Sequence, residues 1–294
     1  MAFISNPQAL EERHLTCVLT LQSGTFEHGG NTKIVDNNTI NAVVTKTLSN
    51  NFTNSADIII YGMNDSDIAA LSTLGYLPFN YNTNKITLYA NYVSQPKSLC
   101  FVGYIVRAWC DYSDPSRPMH FQCQKTYLDA IATAKPINIK GSSSITGLFS
   151  TLASSLGLSL NNNGVSGLIN NAIFDGSLIA QCKSLAKQTS NNCVLDNYKM
   201  YISPLKTALS NLVLQLDSSS GLLGYPTIDA MGIKLKMRYN PVLHIGQYIQ
   251  LSSKVPKTTG NWYVYDMTSS LNNRHENWYT DIRCGYNAVI VASN

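Results

Sequence analysis

The sequence predicts a β-rich α+β chain in which two antiparallel β units flank a small α+β unit. Three observations carry this. Apolar residues alternate with period 2 through most of the first 112 positions and again from Leu205 onward. Apolar residues at helical spacing are concentrated between those stretches, where two longer helices are expected. Prolines with polar neighbours mark the corners, at Asp114–Pro118 and near Pro204. The expected units are 1–112, 113–204 and 205–294, and 294 residues suit two or three compact units.

The elements follow in order. Leu15, Cys17, Leu19 and Leu21 lie on one side of a first strand, and Gly29 and Gly30 turn it toward a second run, Ile40 to Leu48. After "ADIIIYG" the period changes. Ile68, Leu71 and Leu74 predict a short helix capped by Asp65 or Ser66 and stopped by Gly75. "KITLYANYV" and "SLCFVGYIVRAWC" return to strand. Beyond Pro118, "MHFQCQKTYLDA" reads as the first strand of the middle unit. A serine cap then precedes Ile145, Leu148, Phe149, Leu152 and Leu156, and Gly176-Ser177 opens a second helix through Leu178, Ile179, Cys182, Leu185 and Ala186. "NCVLDN" and "KMYISP" form a hairpin about Asn197. In the last unit "TALSNLVLQLD", "GIKLKMRY", "IGQYIQLS", "GNWYVYDMTSSL" and "ENWYTDIRCGYN" are strands of a small antiparallel barrel or sandwich.

Composition excludes several functions. Charged residues are 13% and the net charge is +4, with no run of Lys and Arg, so no electrostatic footprint for nucleic acid is expected. No basic and apolar leader opens the chain and no apolar run is long enough to span a bilayer, so neither export by a standard signal nor a membrane anchor is expected. The seven cysteines are scattered without a C-x-x-C pair and read as buried thiols in a reducing compartment.

Chemistry-bearing residues do not converge. The five histidines form no metal-binding pair, and no P-loop, G-x-S-x-G or G-x-G-x-x-G is present, so no cofactor, no metal and no enzyme activity is expected. The close carboxylates, Asp65 with Asp67 and Asp111 with Asp114, fit capping roles better than an acid/base pair. Trp262, Tyr263, Tyr265, Trp278 and Tyr279 suit a barrel core and rim better than a sugar platform.

A collinear series of short motifs resembles the baseplate hub proteins of contractile-tailed bacteriophages. In the last unit it runs through Gly221, Leu222, Leu223, Gly224 and Pro226, then Gly232, the Asn240-Pro241 corner, Ile245, Gly246, Ile249 and Leu251, and closes with Trp278, Thr280 and Ile282. In the first unit Phe101, Gly103 and Ile105 match an F-x-G-x-I strand, and the middle unit follows the same helix, capped helix and hairpin order. The resemblance implies two tube-like antiparallel β-barrel domains flanking the α+β domain. It further implies a homotrimer whose six barrels adapt a hexameric tail tube to a trimeric central spike, lining part of the channel for DNA ejection. Expected partners are the chain itself, the tube or a tube-terminal protein, the spike, the tape-measure protein and baseplate wedge proteins, without sequence-specific nucleic acid. The expected location is the virion baseplate after synthesis in the host cytoplasm. Rival readings are a type VI secretion spike-like protein, which would continue into a β-helical needle, a tail-associated cell-wall hydrolase, and a carbohydrate-binding module.

Overall fold

The computed structural model describes residues 11–48, 54–73, 84–205, 207–275 and 277–286. The first β unit contains β1 (Arg13–Thr20), β2 (Thr32–Val35), β3 (Ile40–Thr47), β4 (Ser55–Ile60), α1 (Asp65–Leu71), β5 (Lys85–Tyr92), β6 (Ser98–Cys110) and β7 (Met119–Gln124). α1 is capped one residue earlier than expected, by Asn64, whose side-chain oxygen accepts the Asp67 N–H at 2.9 Å. Leu74 and Gly75, expected to close that helix, lie outside the described residues. The strand at Met119 joins this unit instead of opening the middle one, because it pairs with β4 on one side and β6 on the other. Pro118 therefore sits at a corner within the sheet. "KTYLDA" does not prolong that strand, since Tyr127–Ile131 is a helical turn, α2.

The middle unit continues with β8 (Ile137–Asn138), β9 (Ser142–Ser144), α3 (Ile145–Ser155), β10 (Ser159–Asn162), β11 (Leu168–Asn170), β12 (Ile173–Phe174), α4 (Leu178–Gln188), β13 (Asn191–Asp196) and β14 (Lys199–Pro204). Ser144 and Ser177 cap the two helices, accepting the Gly147 and Ala180 N–H groups. Their apolar stripes meet over a core that includes Phe149, Leu152, Cys182 and Leu185. Asn197 turns the β13–β14 hairpin at a φ of 50°, a conformation asparagine tolerates.

The last unit holds β15 (Val213–Leu216), β16 (Leu222–Asp229), β17 (Gly232–Arg238), β18 (Tyr248–Leu251), β19 (Gly260–Asn272) and β20 (Trp278–Gly285). β16 is absent from the sequence reading because Gly224 and Pro226 interrupt it. Both lie where its register with β17 jumps, between Leu223 and Thr227, on a sheet edge where proline breaks no ladder.

The β units share one 13-stranded sheet ordered β16-β17-β20-β19-β3-β4-β7-β6-β5-β1-β2, with β18 beside β19 and β15 beside β18. The junction is β19 against β3, antiparallel from Asp266↔Thr47 to Asn272↔Asn41. Inside this sheet the same pattern occurs twice: β3-β4-β7-β6-β5-β1 is matched strand for strand by β16-β17-β20-β19-β18-β15. The two 13-residue strands β6 and β19 share a bulge, between Ile105 and Arg107 in one and Val264 and Asp266 in the other. Just before each bulge, the Ile105 N–H donates to the Asn84 carbonyl and the Val264 N–H to the Gln247 carbonyl, each acceptor preceding the neighbouring strand. The copies differ at one end, where β1 runs antiparallel to β5 but β15 parallel to β18. Each copy covers its own core, with Leu271 and Trp278 crossing into the first and Leu48 into the second.

The middle unit is fastened to this sheet at a buried ion pair. Lys46 Nζ of β3 stands 2.7 Å from Asp196 Oδ1 of β13, and His244 Nδ1 of the last unit is 3.6 Å from Asp196 Oδ2. All three units meet there.

Candidate functional site

The motif residues do not gather into a pocket; each shapes a turn, an edge or a core. Phe101, Gly103 and Ile105 alternate on the core face of β6. The Phe101 ring folds over Gly103 so closely that a methyl group there would stand 2.6 Å from its Cζ and 2.9 Å from the Gln124 carbonyl. Phe-x-Gly is thus one packing unit, in which the ring covers the strand backbone left bare by glycine. Gly103→Ala is expected to lower stability by about 1–3 kcal/mol through overpacking, read as an earlier urea midpoint with an unchanged slope.

Gly221 precedes β16, while Gly224 and Pro226 form its irregular stretch. Gly232 opens β17 against Gly285 of β20. Asn240 accepts the Val242 N–H at 3.0 Å and fixes the Asn-Pro corner at Pro241. Gly246, at φ 79°, lies under Leu209, leaving no room for a side chain. Trp278 is buried between Tyr92 and Tyr239, edge-on to both rings at 5.8 and 5.6 Å, with the Arg13 guanidinium 6.0 Å from it.

The carboxylates have structural partners. Asp65 pairs with Arg117 at 2.6 Å and Asp67 with Lys33. Asp111 and Asp114 accept the hydroxyl and backbone N–H of Ser113 and Ser116, bonds that hold both carboxyls below the usual range. Glu11, Glu12 and Arg13 border an open cleft of about 710 Å³ with Asn273, Arg274, His275 and Asn277. Among the described residues no three His, Cys, Asp or Glu side chains come together as metal ligands. Six cysteines are buried, Cys110 is half-buried, all are free, and burial pushes Cys182 up to about 12. Trp262 and Tyr263 are both buried, with Tyr263 edge-on to Tyr248, so these two rings form no exposed platform.

What the fold does present is a broad sheet face opposite the two cores. Across eight strands, β16 to β6, alternate residues point away from the apolar clusters, and register aligns them in rows. One row runs Arg107, Gln122, Asp57, Val43, Ser270, Tyr279 and Arg238; the next runs Tyr104, Gln124, Ser55, Thr45, Thr268, Asp281 and Lys236. In these rows Thr, Ser and Gln are interspersed with charged side chains of both signs, Arg107, Asp57, Arg238, Asp281 and Lys236. At the first-unit end Arg107 lies 4.6 Å over Trp109, which stacks on His120 at 5.0 Å.

At the last-unit end a groove of about 520 Å³ is bordered by Tyr225, Lys234, Lys236, Asp266, Asp281 and Arg283. Its charges are largely paired: Lys234 with Asp229 at 3.2 Å, Lys236 with Asp281 at 3.7 Å and Arg283 with Asp266 at 3.9 Å. Burial raises the Asp266 carboxyl despite Arg283, while the Ala230 N–H and then Lys234 lower that of Asp229. Such a surface offers hydrogen bonds over a wide area without a strong net field, which suits contact along a surface more than turnover of a small molecule.

The family described as baseplate hub gp41 matches residues 15–284. The chain belongs to that family. No curated protein sequence matches this hub chain. Among solved structures, it is similar to a tail protein from Neisseria meningitidis MC58, at 10% identity and a TM-score of 0.59, covering 92% of this chain and 96% of that one. A 43 kDa tail protein of prophage MuSo2 from Shewanella oneidensis gives 11% identity and a TM-score of 0.55, covering 92% and 98%. The E. coli c3393 protein, a type VI secretion component described as similar to the T4 bacteriophage tail proteins gp27 and gp5, gives 9% and 0.58, covering 94% and 79%. At these identities the likeness is one of fold. The hub chain is therefore a β-rich tail structural protein of the baseplate class, with a fold shared by phage tails and type VI secretion.

Proposed function

We propose that the hub chain is a homotrimeric adapter between the hexameric tail tube and the trimeric central spike, at the virion baseplate. The observation that carries this is the internal repeat: the strand order β3-β4-β7-β6-β5-β1 recurs as β16-β17-β20-β19-β18-β15. Three chains with two like β units each offer six near-equivalent surfaces to a sixfold tube while keeping threefold symmetry for a spike. The polar eight-strand face lines an axial channel in this reading, and its paired charges let DNA or the tape-measure protein pass without strong attachment. Tube, spike, tape-measure and wedge proteins are the partners, and the chain is made in the host cytoplasm and incorporated into the virion. Function is then spread over interfaces, which accounts for motif residues that shape edges and turns. Light scattering on the purified protein at high concentration is expected to give a mass of three chains, and a protein monomeric both there and in the particle would overturn the proposal.

A further inference from the structure

The first-unit end of the sheet face carries a stack of side chains that the fold itself does not require. On neighbouring rungs of β5, β6 and β7 stand Lys85, Tyr104 and Gln124, then Arg107 and Gln122, then Trp109 and His120. Down β6, rings and a cation alternate. The Trp109 and His120 rings are stacked at 5.0 Å and only 5° from parallel, the Arg107 guanidinium lies over Trp109, and Lys85 Nζ is 5.3 Å from the Tyr104 ring centre. Arg107 is exposed, the three rings are half-buried, and none of them belongs to an apolar core. The internal repeat supplies a comparison. Aligned at the bulges, Arg107↔Gln122 and Trp109↔His120 correspond to Asp266↔Arg283 and Thr268↔Asp281. Those positions hold no ring, and their charges are neutralised within the chain, Arg283 by Asp266 and Asp281 by Lys236. At the first-unit end, among the described residues, neither Arg107 nor Lys85 has an ion-pair partner. The nearby acids do not take that place: Asp57 lies beyond Gln122, Asp111 is engaged by Ser113, and burial raises the carboxyl of Asp129 although Lys125 and Lys85 are near it.

A guanidinium laid on an aromatic ring is held in place while its outer face and N–H edge stay free for a flat anionic ligand. Rings and cations interleaved on an open sheet face bind single strands, with bases on the rings and phosphates on the cations. We infer that this end of the sheet is a stacking site for about two or three unpaired nucleotides of single-stranded nucleic acid, without sequence preference. Bases extend the Arg107–Trp109–His120 stack from its outer faces and lie on Tyr104, while Lys85 and the Arg107 edge meet the phosphates. A duplex keeps its base faces covered, and an acidic peptide satisfies the cations but not the rings. A site that works by stacking more than by field also agrees with a sequence that has no run of Lys and Arg. Three such sites facing a channel engage passing DNA only where its bases are unpaired. That role rests on the adapter reading; the binding does not.

Fluorescence anisotropy of a labelled oligothymidylate titrated with the purified full chain tests the site. Binding is expected with a shallow salt dependence, a log–log slope of about −1.4 for two cations at about −0.7 each. Trp109→Ala is expected to weaken it roughly 5- to 150-fold, the value of one stacked base. Trp109→Phe, which keeps a ring, is expected to retain most of the binding. Arg107→Lys is expected to lose about fivefold or more, because lysine keeps the charge but cannot extend the stack. Lys234→Gln, at the ion-paired end of the face, is expected to change nothing. An abasic oligomer of equal length, the matching duplex and polyglutamate are each expected to bind about tenfold more weakly or less, since one stacked base is lost at the least. No binding of oligothymidylate, equal binding of any of those three probes, or an unchanged affinity in Arg107→Lys would overturn the site. A protein of three-chain mass by light scattering that does not bind loses the site and leaves the adapter reading standing; a monomer that binds keeps the site and loses the adapter.

Discussion

Gly232→Ala is expected to destabilise the hub chain by roughly 2–6 kcal/mol, the sum of backbone strain and overpacking. Gly232 begins β17 at a φ of 152° and faces Gly285 across the ladder. A Cβ there would overlap the Cys284 carbonyl oxygen and stand 3.0 Å from the Gly285 Cα. Those atoms are backbone of β20, held on its far side by β19, so relief requires the strands to part. A loss of this size is a large share of the 5–15 kcal/mol that folded domains possess. Urea unfolding followed by circular dichroism reads it directly, and an unchanged midpoint would show that β17 and β20 are not packed as described.

Breaking the Lys46–Asp196 pair carries the second large effect. Both side chains are nearly inaccessible, at 8% and 4%, so removing one partner leaves a buried charge without compensation. Asp196→Asn or Lys46→Met is expected to cost about 3–5 kcal/mol, whereas the joint change Lys46→Met with Asp196→Leu is expected to cost less than the two summed, because no stranded charge remains. Acid dependence follows from the same contact. Burial pushes the Asp196 carboxyl up, yet the charge of Lys46 and the His244 contact outweigh it and hold the group well below the usual carboxylate range. A folded-state value below the unfolded value of about 4 means the contribution is complete above that pH and is lost as pH falls toward the folded value. The gap between wild type and Asp196→Asn is therefore expected to be flat from pH 7 to about 5 and to narrow below about 4. A gap that widens on acidification would contradict this charge assignment.

Local structure was legible in the sequence wherever a single period governed it. Ser144 and Ser177 capped their helices as spacing and residue type required, and Leu15, Cys17 and Leu19 faced the core. Misreadings occurred where distant strands decide the outcome. Met119–Gln124 has ordinary strand character, but nothing local tells it to lie between β4 and β6. β16 contains Gly224 and Pro226, which argue against a strand unless it lies at an edge, and only the assembled sheet reveals that it does.

The assembly surface was less legible than the fold. The low share of charged residues did not reveal that the sheet face gathers Arg107, Asp57, Arg238, Asp281 and Lys236 among Thr, Ser and Gln. The F-x-G motif was visible as letters, while its reason, a ring lying on a glycine of the same strand, required coordinates. The internal repeat was invisible because its two halves conserve strand order and bulge position with different residues, such as Asp57 in one and Lys234 in the other.

Cryo-microscopy of the intact tail tip, resolved well enough to count copies, tests the adapter account most directly. The account predicts three copies around the axis between tube and spike, six β units in one ring, and the Arg107 to Arg238 row facing the channel. One or six copies, or this sheet face turned away from the axis, would contradict it.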